Sequence, residues 1–471
     1  MRSRRPMDLP AGPKPMFIFG NMLTLVGRDI LQTTKQLSKK YGSLFSLSLG
    51  PYWVIFVNDS HTLQEIFVKH ADKFSDRPDM FIFKQVLGGK GLGASNGKSW
   101  KLQRTFAINA LKHFGFGKRS MESKIMAEIG YFIDVLDSKK SCSISIETLT
   151  KQAISNIISS IVFGQRFNYD DPVCMALITK ISENLGNPYL NLVNWIPWLH
   201  NISKIYDVFG TQRAINNVKC QKTEIRKIID EHRSSLDEND PRDFVDAYLM
   251  EWKRHSEDTD TIFTEDNLES VALDVFGASI DSTSSTILWI VLFLVNNPDV
   301  QSQLRKELID VVGRDREASL GDKQNMPYCR AVIYETQRLG NVAPLSLPHT
   351  TTEDVVINGC RIPKGSIIMA NLNAAMHDEN IFPNSSKFDP SRFLDVGGEI
   401  NGKQEYIFPF SLGRRVCPGE SLANMEIFLF LTSIIRRYRI VPEEGERPLT
   451  IKGTVGLVHS PLPYKVRFVD W

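Results

Sequence analysis

The residues best suited to chemistry form one short run near the C-terminus, Phe410-Ser411-Leu412-Gly413-Arg414-Arg415-Val416-Cys417-Pro418-Gly419. An apolar helical pattern opens at Glu420, so we expect Cys417 at the N-terminus of a helix. Free backbone N–H groups at that position, together with the charge of Arg415, favour the thiolate form of cysteine. A thiolate is a metal ligand, although a lone cysteine is more often a buried structural residue.

Three neighbours of this cysteine favour the ligand role. Gly413 and Gly419 permit tight turns and a close approach of the backbone to a flat partner. Phe410 would shield the sulfur from water, and the exposure of a ligating sulfur tunes the metal that it binds. The run therefore predicts a metal-binding loop.

A second unusual stretch lies inside the helical pattern of residues 267–295. Five of the seven residues from Ser279 to Ser285 carry hydroxyl groups. Such side chains compete for backbone hydrogen bonds and bend helices, so they are a poor choice for a helix interior. A solvated stripe would have the same composition, but local strain of this kind indicates a functional cleft.

The C-terminal run resembles the haem-binding signature of the cytochrome P450 family, the haem-thiolate monooxygenases. Phe410, Gly413, Arg415, Cys417 and Gly419 fill every fixed position of the pattern Phe-x-x-Gly-x-Arg-x-Cys-x-Gly. The resemblance implies that Cys417 is the axial ligand of haem b. It covers nearly the whole chain and is typical of the microsomal family-2 enzymes.

The segment from Ala278 to Thr283 resembles the family's oxygen-activation motif, Ala-Gly-x-Asp/Glu-Thr-Thr. The resemblance implies catalytic roles for Asp281, Ser282 and Thr283, in which the acid feeds protons and the hydroxyl at 282 holds water near bound dioxygen. Ser279 replaces the usual glycine and Ser282 the usual threonine. The hydroxyl at 282 is kept but lacks the methyl group that restricts its rotamer, so we expect a relay that leaks reduced oxygen more readily.

The resemblance also assigns residues that hold the haem and brace the loop. Glu335 and Arg338, three apart on a helix, can pair, and with Arg392 they would form a structural triad behind the cysteine loop. Indole and guanidinium groups are suitable donors to the haem carboxylates. The expected haem contacts outside Cys417 are Lys90, Trp100, Arg104, His349, Phe410, Arg415 and Gly419.

The positions that match substrate-contact regions of the family are all apolar. They imply a lipophilic substrate, such as a fatty acid, a steroid or a xenobiotic, without identifying it. An ordinary hydrophobic core would contain the same residue types. These positions are Phe81, Phe83, Leu92, Val275, Leu345 and Leu457.

The resemblance implies a monooxygenase that inserts one atom of dioxygen into its substrate. Because the chain has no nucleotide-binding glycine pattern, the expected electron donor is NADPH-cytochrome P450 reductase, with cytochrome b5 as a further partner. The expected docking face is basic and comprises Lys112, Lys118, Arg119 and Arg414. Two alternatives stay open: a reductase-independent haem-thiolate isomerase or dehydratase, and a non-catalytic haem protein that carries or senses a ligand.

The elements that must position these residues are mainly helical. Apolar residues recur with helical spacing over 125–136 and 154–161. Alternation typical of strands is confined to 44–49, 53–57, 353–362, 366–370 and 456–466. We therefore predict an α+β fold, mainly α with small β-sheets, in which the haem lies between the long helix and the cysteine loop.

Composition indicates the class of protein and the cellular environment to which the chain belongs. Apolar residues make up 42% and charged residues 23% of the chain, as in ordinary globular proteins. A net charge of +2 gives no sign of the dense basic surface that nucleic-acid binding needs. The 6 cysteines show no paired spacing, which favours a reducing, cytosol-facing environment. We predict a basic, proline-rich hinge over 1–15 and a single domain over 16–471.

The sequence has no run of about 20 predominantly apolar residues of the kind that crosses a bilayer. The longest apolar run, Ile287 to Val295, is expected to be core. The first residues resemble the basic, proline-rich segment that follows the membrane anchor in microsomal members of the family. That resemblance implies a chain that starts after an anchor, contact with the membrane surface and a place on the cytosolic face of the endoplasmic reticulum.

Overall fold

The computed structural model describes residues 5–17, 19–118, 120–140, 142–187, 189–196, 199–202, 206–258, 260–443 and 448–471. Most of these residues are helical. The α-helices α1 to α16, in chain order, span Ile30–Tyr41, Ser60–Gln64, Gly91–Ala94, Gly97–His113, Ser120–Ser138, Glu147–Val162, Pro172–Gly186, Leu190–Asn194, Leu199–Ile202, Thr211–Ser234, Phe244–Arg254, Glu265–Asn296, Pro298–Val312, Pro327–Gly340, Leu372–Met376 and Glu420–Arg437. Short π-helical turns span Glu65–Lys69 and Ile82–Val86, and 3-10 turns span Met22–Thr24, Val208–Gly210, Asp322–Asn325, Pro390–Phe393, Lys403–Tyr406 and Gly413–Arg415.

The strands are short and form small sheets. The strands β1 to β10 span Leu44–Leu49, Tyr52–Val57, His349–Thr350, Val355–Ile357, Cys360–Ile362, Ile367–Ala370, Tyr438–Pro442, Gly453–Val455, His459–Pro461 and Val466–Asp470. The largest sheet has the order β1-β2-β6-β3, in which β2 and β6 are parallel and the other neighbours are antiparallel. The remaining pairs are β4 with β5, β7 with β10 and β8 with β9. The predicted mainly α fold with small sheets is confirmed.

Helix α12 forms the centre of the molecule and carries the hydroxyl-rich stretch. It packs against α6, α7, α10, α14 and α16. By length and composition alone it could cross a membrane, but 83% of its most apolar window is buried inside the protein. The expectation that 287–295 is core agrees with this burial.

The N-terminal segment packs on the first strand. Leu9 is buried, and the backbone N–H of Ser46 in β1 donates to the carbonyl of Ala11 at 2.8 Å. Arg5 donates to the carbonyl of Gly12 at 2.8 Å and to that of Pro13 at 2.9 Å. The proline-rich residues therefore lie along β1, and the division at residue 15 stays a prediction.

Candidate active site

The loop that ends at Cys417 has a fixed backbone path. Gly413 has a φ of 76°, and a Cβ at this position would collide with the carbonyl of Phe67, so only glycine fits. The backbone N–H of Cys417 donates to the carbonyl of Phe410 at 3.0 Å, which closes the loop. Gly419 has an ordinary φ of −88°, and a Cβ there would lie 3.8 Å from the Cys417 sulfur. The tight turn expected of both glycines is therefore required at Gly413 only, and the close approach of Gly419 to a flat partner stays a prediction.

Cys417 lies just before α16, as the helical pattern predicts, and its side chain is exposed. The surrounding protein nevertheless raises the pKa of its thiol by desolvation, although backbone N–H groups of Gly419 and Glu420 and the charge of Arg104 act in the opposite direction. The expectation that the protein alone favours the thiolate is thus wrong. Desolvation outweighs the helix N-terminus, and the nearby cation is Arg104 rather than Arg415.

The Arg415 side chain turns away from the sulfur and fastens the loop to the N-terminal part of the chain. Its guanidinium donates to the carbonyls of Ser75 at 2.7 Å, Leu92 at 3.1 Å and Ser95 at 2.7 Å. It also lies 3.8 Å from the ring centroid of Trp100. Burial lowers the pKa of Arg415 to about 8. Bonds across more than 300 residues of sequence therefore fix the loop against the region before α4.

Two of the predicted cofactor contacts lie beside this loop on α4. Arg104 donates to the carbonyl of Val416, and its guanidinium lies 5.8 Å from the Trp100 ring. Trp100 is 7% exposed, and its Nε1 is buried without a hydrogen-bond partner among the described residues. Because a buried N–H is costly to leave unpaired, this atom indicates an acceptor supplied by a bound group.

His349 also lies close to Arg415, and its surroundings favour the neutral imidazole. Its Nδ1 lies 2.7 Å from the carbonyl of Phe74, so Nδ1 carries the proton. Burial, with the charges of Arg77 and Arg415, lowers its pKa well below the usual range. Nε2 of the neutral ring is therefore an acceptor, and it would donate to a carboxylate only after taking up a second proton.

Lys90 is a predicted haem contact whose side chain pairs with another helix. Its Nζ pairs with the carboxylate of Asp266 in the first turn of α12, and 42% of its side chain is exposed. The same carboxylate pairs with Lys222 of α10 at 2.9 Å. Lys90 thus joins the start of α3 to α12, Lys222 joins α10 to the same carboxylate, and the contact of Lys90 with haem stays a prediction.

The side chains beside the cysteine loop fit haem, and the indole N–H of Trp100, unpaired among the described residues, is the observation that supports this fit. An exposed cysteine sulfur, a partnerless buried indole N–H and a partly free guanidinium suit an iron porphyrin, which needs an axial ligand and donors for two carboxylates. Cys417 would supply the ligand. Trp100 and Arg104 would bind a carboxylate, with His349 as a third donor once protonated.

The predicted triad forms a buried bidentate network. Arg338 donates to both carboxylate oxygens of Glu335 at 2.7 and 2.9 Å, and both side chains are 0% exposed. Arg392 donates to the same carboxylate at 2.9 Å. Arg338 also donates to the carbonyl of Met376 at 3.0 Å, and the Met376 sulfur accepts the backbone N–H of Phe408 at 3.2 Å. The network therefore reaches the chain two residues before the cysteine loop.

The hydroxyl groups of α12 mostly satisfy carbonyls of the same helix. Ser279 and Ser282 donate to the carbonyls of Val275 and Ala278, each at 2.7 Å, and Thr286 donates to that of Ser282 at 3.0 Å. Ala278 is exposed, and Ser279 and Ser282 are partly exposed, within a helix that is otherwise almost entirely buried. This accessible face is the part of α12 available to a ligand.

Asp281 is held on another side of α12. Its Oδ1 accepts from Ser182 of α7 at 2.9 Å and lies 3.0 Å from Nζ of Lys151 of α6. Its Oδ2 is buried with no partner among the described groups. Sequence reasoning missed Lys151 and Ser182, because nothing in their local patterns indicates a partner more than 90 residues away.

Thr283 does not share the accessible face. It is 3% exposed and lies near the side chain of Glu426 on α16, the helix that follows the cysteine. Of the three residues expected to be catalytic, only Ser282 is on the accessible face of α12. The structure does not bring the three side chains together.

The predicted substrate contacts belong to one apolar cluster. The buried members of this cluster include Phe81, Phe83, Leu92 and Val275. Leu345 and Leu457 are partly buried and pack against it. The backbone N–H groups of Leu92 and Gly93 donate to Asp274 of α12 at 2.7 and 3.0 Å, and burial raises the pKa of Asp274 to about 6. Leu457 donates its N–H to the carbonyl of Leu185 at 2.8 Å. These bonds hold two apolar segments against α12 and α7.

Comparison with known proteins gives the same assignment over the whole chain. The family model described as Cytochrome P450 matches residues 10–468. The chain belongs to the cytochrome P450 family. It is 35% identical over 467 residues to Cytochrome P450 2C20 of Macaca fascicularis, covering 98% of this chain and 94% of that one. It is also 35% identical to Cytochrome P450 2C8 of Homo sapiens, with 99% and 95% covered, and 34% identical to Cytochrome P450 2H2 of Gallus gallus, with 98% and 93% covered.

Membership in this family decides the chemistry that the motifs predicted. This P450 is a haem-thiolate monooxygenase, an oxidoreductase that inserts one atom of dioxygen into a lipophilic organic substrate. Its cofactor is haem b. No observation supports the isomerase, dehydratase or ligand-carrier alternatives.

Proposed function

We propose that this P450 oxidises lipophilic substrates at the cytosolic face of the endoplasmic reticulum, and that Cys417 would bind the haem iron while NADPH-cytochrome P450 reductase donates electrons. The observation that carries the proposal is the buried Nε1 of Trp100, which has no hydrogen-bond partner among the described residues, beside a loop that exposes the Cys417 sulfur. When bound, haem supplies the activation of dioxygen. Trp100, Arg104 and His349 would orient it through its carboxylates, and Phe410, Arg415 and Gly419 would shape the loop around the sulfur.

The oxygen side of the site would depend on Ser282 and Asp281. The Ser282 hydroxyl, now bonded to the Ala278 carbonyl at 2.7 Å, would hold a water molecule after rotating about a bond that no methyl group restricts. Asp281 would exchange a proton at Oδ2, because Oδ1 is engaged by Lys151 and Ser182. Asp281 therefore needs Lys151 to stay oriented.

A basic surface beside the cysteine loop supports docking of the reductase. Lys112, Lys118 and Arg414 are exposed, while Arg119 lies outside the described residues. The turn that contains Lys118 approaches the first turn of α16, since a Cβ on Gly117 would lie 3.3 Å from the Ser421 hydroxyl. Cytochrome b5 would use the same surface. Complementary charge mainly accelerates association and is screened by salt.

An apolar surface around the N-terminal segment and the β1–β2 turn supports membrane contact. The antiparallel bridge from Gly20 to Leu49 and the approach of Gly50 to the Trp195 carbonyl bring the N-terminal segment, the β1–β2 turn and the region of α8 together. Large exposed apolar patches mark interaction sites. The exposed apolar side chains here are Met16, Phe17, Phe19, Leu23, Tyr189, Tyr206 and Phe209.

The carbon-monoxide difference spectrum of the reduced, haem-loaded protein tests the ligand. We expect the red-shifted band of thiolate-ligated haem, its loss in Cys417→Ala, and its retention in Cys220→Ala, which removes an exposed cysteine on α10. A spectrum of the histidine-ligated type would contradict the proposal. Turnover of a lipophilic substrate panel should require both NADPH and reductase.

Stopped-flow reduction by the reductase tests the docking surface. Lys118→Glu and Arg414→Glu should slow reduction at low ionic strength, and the difference should shrink as salt is added. Lys219→Glu, which changes an exposed lysine on α10, is the matched control. Equal rates for all variants at low salt would remove this surface from the proposal.

A further inference from the structure

The β8–β9 hairpin connects α12 with the end of α7. Strands β8 and β9 are antiparallel, and residues 456–458 between them form the tip. Near the base of the hairpin, the Ser460 hydroxyl lies 2.7 Å from the hydroxyl of Ser285 on α12. At the tip, the backbone N–H of Leu457 donates to the Leu185 carbonyl in the last turn of α7 at 2.8 Å. The same hairpin is therefore bonded to both helices.

His459, the first residue of β9, fixes the base of this hairpin. Its backbone N–H donates to the Val342 carbonyl at 2.9 Å, and its carbonyl accepts from Nε1 of Trp289 on α12 at 3.1 Å. Its ring Nδ1 lies 2.8 Å from the carbonyl of Gly340, the last residue of α14, so Nδ1 carries the proton. The ring centroids of His459 and Trp289 are 5.0 Å apart. The residue is thus held between α12 and α14.

Close packing at two glycines transmits this position to the tip. A Cβ on Gly453 would collide with the His459 ring, which packs across that glycine. A Cβ on Gly456 would collide with the Leu185 carbonyl, so the tip lies directly against the end of α7. Because the tip spans only residues 456–458, a shift at the start of β9 must also move the tip.

The hairpin meets α12 beside the accessible face of that helix. Residues seven apart on an α-helix point in nearly the same direction, so Ser285, which bonds to the hairpin, is in line with the exposed Ala278. Ser282 lies between the two and is partly exposed. Just before this face, a Cβ on Gly277 would lie 3.6 Å from the Ile181 side chain of α7. Helix α7 and the hairpin therefore contact α12 on either side of the accessible residues, and the tip bond joins these two elements.

We propose that His459 is a positioning residue that, through the hairpin, holds Leu457 at the wall of the substrate site and so determines how tightly long lipophilic ligands bind. The inference rests on the proposed function, since it places the substrate at the accessible face of α12. A tip that is already ordered offers its apolar contact without the entropic cost of being fixed on binding. If the base were loosened, ligands long enough to reach Leu457 would bind more weakly, whereas short ligands would be unaffected.

Titration of the haem-loaded protein with 1-alkylimidazoles tests the proposal without knowledge of the substrate. The imidazole nitrogen binds the haem iron and shifts its Soret band, and the alkyl chain extends into the site. His459→Ala and Leu457→Ala should each raise the Kd of 1-dodecylimidazole about fivefold, as expected for the loss of one hydrogen bond or part of an apolar contact. The Kd of 1-methylimidazole should stay unchanged. Because His459 acts through Leu457, the double variant should not exceed the larger single effect, and effects that multiply would refute the inference.

Three further variants separate positioning from general damage. His459→Asn keeps a side-chain N–H at the place of Nδ1, so it should bind 1-dodecylimidazole more tightly than His459→Ala does. Ser460→Ala removes one bond to α12 and keeps His459, so it should raise the same Kd by a smaller factor. His255→Ala is the matched control, because Nδ1 of His255 lies 3.0 Å from the Glu251 carbonyl of α11. It should leave both Kd values unchanged.

The spectra also distinguish failure of the inference from failure of the proposed function. If His459→Ala keeps the thiolate carbon-monoxide band but raises both Kd values equally, or raises neither, the inference is wrong and the proposed function stands. If His459→Ala does not fold, the same criteria apply to Ser460→Ala. If the wild type lacks the thiolate band, or shows no Soret shift with 1-methylimidazole, the proposed function fails and the inference fails with it.

Discussion

Replacement of Lys151 by methionine is the sharpest test of how Asp281 is held. The side chains of Lys151 and Asp281 are 13% and 6% exposed and lie 3.0 Å apart. Removing one partner of a buried pair costs roughly 3 to 5 kcal/mol, because the other charge is left unpaired. Ser182 still donates to Asp281 at 2.9 Å, so we expect a loss of about 3 kcal/mol, at the lower end of this range.

The melting temperature shows whether this magnitude is right. Unfolding entropy is about 2.1 cal/mol/K per residue, so a chain of 471 residues has about 1 kcal/mol/K. Lys151→Met should therefore lower Tm by about 3 °C in calorimetry at a fixed scan rate. The control is Lys227→Met, whose pair with Glu224 on α10 leaves its side chain 63% exposed and should contribute at most about 1 kcal/mol.

The outcome that would refute this reasoning is equal Tm values for Lys151→Met, Lys227→Met and the wild type. Such a result would mean that Asp281 is solvated when Lys151 is absent. The double variant Lys151→Met/Asp281→Asn provides the complementary test, because it leaves no buried charge. It should recover part of the lost stability, whereas additive losses would show that the two side chains do not interact.

Three further changes follow from the geometry of the loop, the triad and a buried histidine. Gly413→Ala should abolish the thiolate carbon-monoxide band, because its Cβ would meet the Phe67 carbonyl at a φ of 76°; an unchanged band would contradict this path. Glu335→Gln should lower stability by roughly 3 to 5 kcal/mol and yield mostly haem-free protein, measured as haem per chain, because two arginines lose their carboxylate. Burial alone would lower the pKa of His232, but Asp243 at 2.7 Å raises it overall, and the other ring nitrogen faces a carbonyl. Its stabilising effect should be complete below about pH 6.5 and decline as pH rises through the higher folded value, so denaturant titrations should show that slope in the wild type and not in His232→Gln.

Local patterns predicted the elements that depend on local forces. The β1–β2 hairpin agrees with the alternation in 44–49 and 53–57, and α12 agrees with the helical pattern of 267–295 to within two residues. The segment 353–362 is a hairpin of β4 and β5 rather than one strand, because Asn358 and Gly359 both adopt positive φ angles and turn the chain. Strand β7 was missed, because it follows α16 without a break and is stabilised by pairing with β10.

In the candidate site, too, local spacing predicted some residues correctly, while others depend on contacts between distant elements. The positions of Cys417, Trp100 and Arg104 relative to their helices follow from local spacing, and the structure places both α4 side chains beside the loop. Which way the side chains on α12 point depends on packing against other helices. The partners of Asp281 lie on α6 and α7, and Thr283 lies near Glu426 of α16; no local pattern indicates these neighbours. For the same reason the sign of the Cys417 pKa shift was wrong, since desolvation comes from distant segments.

The bond from Arg415 to the Ser75 carbonyl spans 340 residues, and its length in sequence has a consequence for biosynthesis. Helices α5 and α6 contact each other across a short stretch of sequence, but α6 also packs on α12 and α5 on α16. The cofactor pocket cannot form early, because Trp100 and Arg104 contact a cysteine loop that is synthesised near the end of the chain. Contacts of such high sequence separation form slowly, because loop closure must precede the gain. The cofactor pocket is therefore complete only after the last part of the chain, which contains Cys417, has been synthesised.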